Sequence, residues 1–598
     1  MIIKNRFKKE QIFLFFFLSI NLFLNIYGNE WGLPSRWNTD EKVTNVLHMA
    51  SQKILSDPYG SFFHPTGYHI FLLLAFVPVY LCLKIIGYPL LELKEAASVS
   101  WIHMSHLYPD FTSGIYIYAR TLSALLGTLT VYLIYLIGKY LYGKKVGLFS
   151  AAFLSVCMGF ISANHFAKYM SLVNAMIILT ILLCLKALYK KKSFIVDKYI
   201  FLSFFCGGIS ASIHVNAPLL LLPLGLTLFF CYSSFLHIFK KGWICIFFYI
   251  SGILVGTPSL LTKWKDYFFF ILPQYQNDLG IGSRSFEGLK FIFLKMLNYF
   301  FETMTLLGIP IFVFTVMGFF YMVFYWKKLS KMEYIVFSFP ISYLLIISVL
   351  YNDLDPQSKN IIAAVPFLMI FAGRFMSNCF DSQKVHGIVK YGLFFGVIIF
   401  SLLYCIKADL VFKYNDTRYA STKWILENVE KGAKIEVFDQ LNYMASTTIF
   451  YDYEIIYLGR SSKTSSSKHF FNWSEVEKRN EYLTYINKYD SLSDYIVLSA
   501  SYDLSKDYIE GVKHVPGVTE YISALLEDRK HYRLVKVFEP KNKRIQSRAI
   551  KGVVHYRDLF WNPIPSYRDA YSIIYIFKKV EKKPFREPKR ARIIHNAG

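Results

Sequence analysis

Charge is scarce in this chain. Asp, Glu, Lys and Arg make up 18% of its 598 residues, whereas 54% are hydrophobic and 18% aromatic, and the mean hydropathy is +0.34. Soluble domains carry about 25% charged residues, so the chain as a whole does not read as a water-soluble globule. Cysteine is sparse too: eight residues, all between Cys82 and Cys405 and mostly inside apolar runs, with no Cys-x-x-Cys pair. That pattern argues against a disulfide framework or a cysteine zinc site and for buried free thiols.

What the chain has in abundance is apolar runs long enough to span a bilayer, recurring over its first two thirds. They make it a polytopic α-helical membrane protein. The net charge of +25 does not mark a nucleic-acid binder, because the lysines cluster in short loops between apolar runs, as the positive-inside rule requires. Lys4, Arg6, Lys8 and Lys9 precede "IFLFFFLSINLFLNIYG" with no small-x-small cleavage site after it. The segment reads as a retained signal anchor with its N-terminus inside.

Orientation is tested loop by loop. If the run 68–87 crossed, Lys139, Lys144 and Lys145 would face outside. If it lies in the interface, they face inside, as do Lys190 to Lys192, Lys240 with Lys241, and Lys327, Lys328 and Lys331. The second reading leaves eleven spans: about 12–27, 116–141, 146–162, 172–188, 198–213, 217–236, 243–259, 302–325, 333–350, 360–377 and 389–406. The outer face then receives 28–115, a short turn near His165, the 260–300 and 351–359 loops, and everything beyond about 410.

Three units follow: a transmembrane domain 1–409, a small extracytoplasmic α/β domain 410–580 and a basic tail 581–598. In the second, "TRYASTKWILENVEKG" and "VTEYISALLED" read as helices and "KIEVF", "EIIYL", "DYIVLS", "YRLVKVF" and "YSIIYIF" as strands. It holds no GxGxxG and no P-loop, so nothing supports nucleotide binding there.

The chemistry gathers on the outer face, beginning with "WGLPSRWNTDEKV". After Asp40 the apolar residues Val43, Val46, Leu47, Ala50 and Ile54 have helical spacing, predicting an amphipathic helix on the membrane surface. Asp40 is then either its N-cap, with Glu41 a first-turn acid, or a general base facing the outer leaflet. The residues alone leave both open.

That stretch, followed by "SDPYGSFFHPTGYHIFLLLAF", "YARTLSALLGTLTVYLIYLIGKYLYGKKVGLFSAAFLSVCMGFISANHFAKY", "GGISASIHVNAPLLLLPLGL" and "DTRYASTKWILENVEKGAKIEVF", resembles the bacterial branch of the dolichyl-phosphate-mannose protein mannosyltransferase superfamily, whose cousins are the aminoarabinose transferases of lipid A. The resemblance implies a GT-C-fold glycosyltransferase of the bacterial inner membrane, with active site and C-terminal domain on the periplasmic side. Its partners would be a polyprenyl-phosphate-linked sugar donor, membrane lipids and a lipid, glycan or protein acceptor, with no nucleic acid. Asp40 matches the family's catalytic acid and Glu41 the acid that commonly follows. Two departures stand out. Asn38-Thr39 replaces a His-Pro before the pair, and Met170 stands where many relatives have a second Asp.

A leaving lipid phosphate needs cations. Arg120, at the outer start of its span, matches an Arg common in the family and is the first candidate. Lys168, Lys263, Lys265, Arg284 and Lys359 are others, His64 occupies a place where relatives have a Lys, and His165 and Asn174 are polar groups near Met170. Each is also readable as a snorkelling or loop residue. No metal-ligand spacing appears among Asp40, Glu41, His64, His69 and His165, so a divalent cation is neither required nor ruled out. Two rivals remain: a lipid-linked-glycan transporter, which would carry ionisable residues in mid-span, and a non-catalytic assembly protein that keeps the fold.

Overall fold

The computed structural model describes residues 9–33, 41, 43–52, 66–89, 104, 107–191, 195–214, 216–232, 234–265, 289–350, 361–414, 416–438, 452–458, 493–500, 532–539 and 573–580. The chain divides into two compact units, 1–416 with 551–570 and 417–550 with 571–598. Asp40, His64, Arg284, Lys359, the "VTEYISALLED" segment and the basic tail lie outside the described residues.

The first unit is helical: α1 (Lys9–Ile26), α2 (Val43–Gln52), α3 (Gly67–Ile85), α4 (Pro109–Tyr142), α5 (Lys144–Ser155), α6 (Met158–Asn164), α7 (Tyr169–Tyr189), α8 (Val196–Ile213), α9 (Leu221–Cys231), α10 (Phe235–Gly256), α11 (Leu289–Leu307), α12 (Ile309–Phe324), α13 (Lys331–Leu350), α14 (Val365–Asp381) and α15 (Gly387–Tyr414). Among the described residues eight helices are long and apolar enough to cross a membrane, namely α1, α3, α4, α7, α8, α10, α13 and α15. The pair α5–α6, bent by 63°, makes a ninth if counted as one span. The expected spans 146–162, 217–236 and 302–325 are each divided between helices rather than falling on one, and α9, α12 and α14 have 11, 16 and 17 residues, short against the ~20 a crossing takes. The 68–87 run, expected in the interface, is the 19-residue α3, with Pro78 inside it and a length and apolarity that permit crossing. Phe15, Phe16, Phe23, Phe247 and Phe324 are exposed on their helices. In a membrane protein that outward apolar surface faces lipid.

Close approach needs small residues. Where α8 crosses α10, a Cβ on Gly208 would lie 2.0 Å from the Tyr249 carbonyl oxygen, and one on Gly252 would lie 2.2 Å from that of Phe205. Gly208→Val is expected to destabilise this crossing by about 1–3 kcal/mol. A thermal melt in detergent checks it against Gly225→Ala, whose added methyl meets nothing within 4 Å and which should melt with the wild type.

The second unit pairs α16 (Thr417–Asn428) with β1 (Lys434–Phe438), β2 (Glu454–Leu458), β3 (Tyr495–Ala500), β4 (Tyr532–Phe538) and β5 (Ile573–Lys579) in a sheet of order β2-β1-β3-β5-β4. Strands β2, β1 and β3 run parallel, and β5 lies antiparallel to both β3 and β4. Gly432, at φ +84°, lets the chain leave the helix for β1. Ile425 and Val429 of the helical segment pack on Ile435, Val497, Ile574 and Ile576. Glu436 is buried in β1 and accepts from Ser493 Oγ at 3.1 Å, while Tyr532 Oη donates to the Ser493 carbonyl at 2.8 Å. Burial pushes the Tyr532 phenol up to about 12, so it stays a donor at neutral pH.

Candidate active site

The site is assembled on α4. This helix has 34 residues, about 51 Å at 1.5 Å per residue, and so outruns the ~30 Å hydrocarbon core. About 33 Å of helix separates Arg120 from Tyr142, one bilayer core away from the end that carries Lys139. Arg120 thus stands toward the end of α4 that Pro109 starts, and Lys139 toward the other.

Arg120 is 1% exposed and Glu41 is fully buried. The guanidinium grips the carboxylate with two hydrogen bonds, Nε to Oε1 at 2.8 Å and Nη2 to Oε2 at 2.7 Å. Its Nη1 donates to the carbonyl of Trp31 at 2.9 Å and to that of Asn29. Oε1 of Glu41 also accepts from the Ala167 backbone N–H at 2.8 Å. The planar fork of Arg matches a carboxylate bidentately, which Lys could not do.

Ala167 lies in the turn 165–168, and a bend places that turn. The last turn of α5 tightens, with the amides of Val156 and Cys157 bonding carbonyls three residues back. Cys157 then turns to extended backbone before α6 starts. The other three residues of the turn make further contacts. His165 donates through Nε2 to Asp409 Oδ1 at 3.0 Å, with both side chains buried. Phe166 stacks edge-on with Trp31 at 5.7 Å and sits 6.0 Å from the Arg120 guanidinium carbon. Lys168 Nζ lies 5.2 Å from the Phe166 ring. Trp31 Nε1 donates to Asp416 Oδ2 at 3.0 Å.

The structure thus brings together four of the ten candidates: Glu41, Arg120, His165 and Lys168. Arg120 has a different place from the one expected. It is turned onto Glu41 and backbone carbonyls inside the protein rather than held open toward a phosphate. Glu41, expected in the first turn of a surface helix, precedes α2 and points inward. Of the apolar residues behind it, Val43 and Val46 are buried in the protein. Lys263 and Lys265 are exposed in a helical turn at 260–265, the latter 5.7 Å from the ring of Trp264. Met170 is buried. Among the described residues no three His, Cys, Asp or Glu side chains gather as metal ligands.

Asp409 and Asp416 were not read as site residues. A signal existed for the first: Cys405, Ala408 and Asp409 follow one another at helical spacing past the apolar run, and the structure buries all three.

No protein-family model matches the chain, and no curated protein does. Its similarities are to solved structures. The archaeal oligosaccharyltransferase AglB of Archaeoglobus fulgidus, in complex with an inhibitory peptide and a dolichol-phosphate, is similar with a TM-score of 0.48 and 12% identity, over 96% of this chain and 88% of that one. ArnT of Cupriavidus metallidurans is similar in its apo state (TM-score 0.46, 11% identity, 81% of this chain and 92% of that one). Bound to undecaprenyl phosphate, ArnT is similar with a TM-score of 0.44 and 10% identity, over 94% of this chain and 97% of that one.

Proposed function

We propose that the chain is a membrane glycosyltransferase that moves a sugar from a polyprenyl-phosphate donor to an acceptor hydroxyl on the outer face of a bacterial inner membrane. The observation that carries this reading is the Glu41–Arg120–Ala167 junction. It ties Glu41, α4 and the 165–168 turn together, three segments that this reading puts on the outer face. These are the segments that carry the resemblance to the mannosyltransferase superfamily. A helix cap alone requires no such junction.

In this reading Asp40, bonded to the immobilised Glu41, is the base. It takes the proton of the acceptor hydroxyl as that oxygen attacks the anomeric carbon. The bond from that carbon to the phosphate oxygen breaks, its electron pair leaves with polyprenyl phosphate, and the single displacement inverts the centre. Arg120 is a positioning residue for Glu41, not a phosphate ligand. Lys168, in the same turn as Ala167, joins His64, Lys263, Lys265, Arg284 and Lys359 as a phosphate candidate.

The test is a panel of polyprenyl-phosphate sugars given to the purified full chain in lipid, with peptide, glycan and membrane-lipid acceptors. Release of polyprenyl phosphate that depends on both donor and acceptor is the expected result. No release across the panel sinks the reading.

A further inference from the structure

Asp409 lies in the last turns of α15, 1% exposed, with Oδ1 held by His165 at 3.0 Å. Its other oxygen, Oδ2, is buried and has no hydrogen-bond partner among the described residues. A carboxylate within a membrane helix is costly and is kept where it does something. His165 accounts for one oxygen and leaves the second ready to accept. Two more buried side chains are alike. Asn29, whose carbonyl is bonded to Arg120, has both carboxamide atoms buried and without a partner among the described residues, and so has Asn174, in the second turn of α7. Native interiors satisfy nearly all such atoms, so open acceptors and donors of this kind fit a ligand rich in hydroxyls.

We propose that Asp409 is a ligand-binding carboxylate whose Oδ2 accepts a hydrogen bond from a sugar hydroxyl, with His165 fixing its orientation through Oδ1. The inference rests on the glycosyl-transfer reading and adds to it the residue that reads the sugar. A carboxyl oxygen with free lone pairs is a good acceptor for a hydroxyl donor. A site built to bond a hydroxyl rejects ligands that lack it.

Asp409→Asn is the discriminating substitution. Its Oδ1 can still accept from His165, its volume is unchanged, and its amide places a donor where Oδ2 accepted. Binding to the full chain is measured with undecaprenyl phosphate and with undecaprenyl-phosphate sugars, and the KM values for donor and acceptor are measured in transfer. The expected result is at least a tenfold weaker interaction with the sugar-bearing lipid and an unchanged affinity for the bare lipid, which also reports that the variant is folded. A tenfold rise confined to the acceptor KM places the hydroxyl on the acceptor and supports the proposal equally. Asp409→Glu, with the charge kept but displaced, should fall between the two. Equal loss for both lipids, or no loss for any ligand, makes Asp409 a structural partner of His165 and overturns the inference. A wild type that binds neither lipid and transfers nothing overturns the glycosyl-transfer reading itself, and the inference with it.

Discussion

Replacing Arg120 by Met is expected to destabilise the helical unit by about 3–5 kcal/mol, the cost of breaking a buried ion pair from one side. The size follows from what would be left behind. Glu41 is fully buried, and without the guanidinium its carboxylate keeps, among the described residues, one hydrogen bond, from Ala167 N at 2.8 Å. The carbonyls of Asn29 and Trp31 lose their donor as well. Arg120→Lys restores a charge but not the fork, and should recover part of the stability. The double variant Arg120→Met, Glu41→Leu removes both charges and should melt within about 1–2 kcal/mol of the wild type, as buried pairs exchanged for apolar groups generally do. Melting the three variants and the wild type in one detergent decides it. A single Arg120→Met that melts like the wild type would mean that the pair is not buried in the folded protein. In the glycosyl-transfer reading activity should fall in the single and the double variant alike, because both lose the Glu41–Arg120 clamp beside Asp40.

Much of the fold could be read from the chain because a bilayer imposes a length. A run of about 20 apolar residues with lysines at one end has few structural options, and α1, α7, α8, α10, α13 and α15 follow directly from it. The orientation argument was less able to place 68–87, since loop charge speaks to the side of a loop and not to the path of the helix before it. The bend between α5 and α6 is invisible in the sequence. "SVCMG" contains neither proline nor a glycine at the break, and the kink follows from the tightened last turn of α5.

Strands β1 to β5 follow from short β-branched and aromatic runs between turn residues, but their order depends on pairings between segments far apart in the chain. The site divides the same way. Glu41 and Arg120 were each singled out by residue type and position, yet their union joins residues 79 apart, which no local pattern encodes. An Arg at the head of an apolar helix looks like a ligand-binding cation, and only its neighbours make it a clamp. Asp409 was obscured because the apolar run ends near 406, whereas the helix continues to Tyr414. The same continuation puts Asp409 on α15, buried beside His165, and Met170 is buried as well.

Asp40→Asn is expected to lower kcat by about 10²–10⁴-fold, the range a positioned general base contributes, with the donor KM little changed. Two adjacent acids raise the question of rescue, since a second carboxylate one residue away might serve in place of the first. The geometry of Glu41 answers it. Oε1 is taken by Arg120 Nε and Ala167 N, and Oε2 by Arg120 Nη2. A carboxylate held in this way inside the protein cannot swing to an acceptor hydroxyl without breaking the pair. The two acids therefore have separate effects. Asp40→Asn should cost turnover and spare the melting temperature. Glu41→Gln, which keeps a side-chain oxygen for Arg120 but removes the charge, should cost stability first and turnover as a consequence. Asp40→Asn with unchanged kcat would remove Asp40 as the base and place the base elsewhere in the chain. A kcat lost in Asp40→Asn and restored by added azide or formate would place the missing function in the carboxylate itself, because a small anion can replace a base but cannot rebuild a cap.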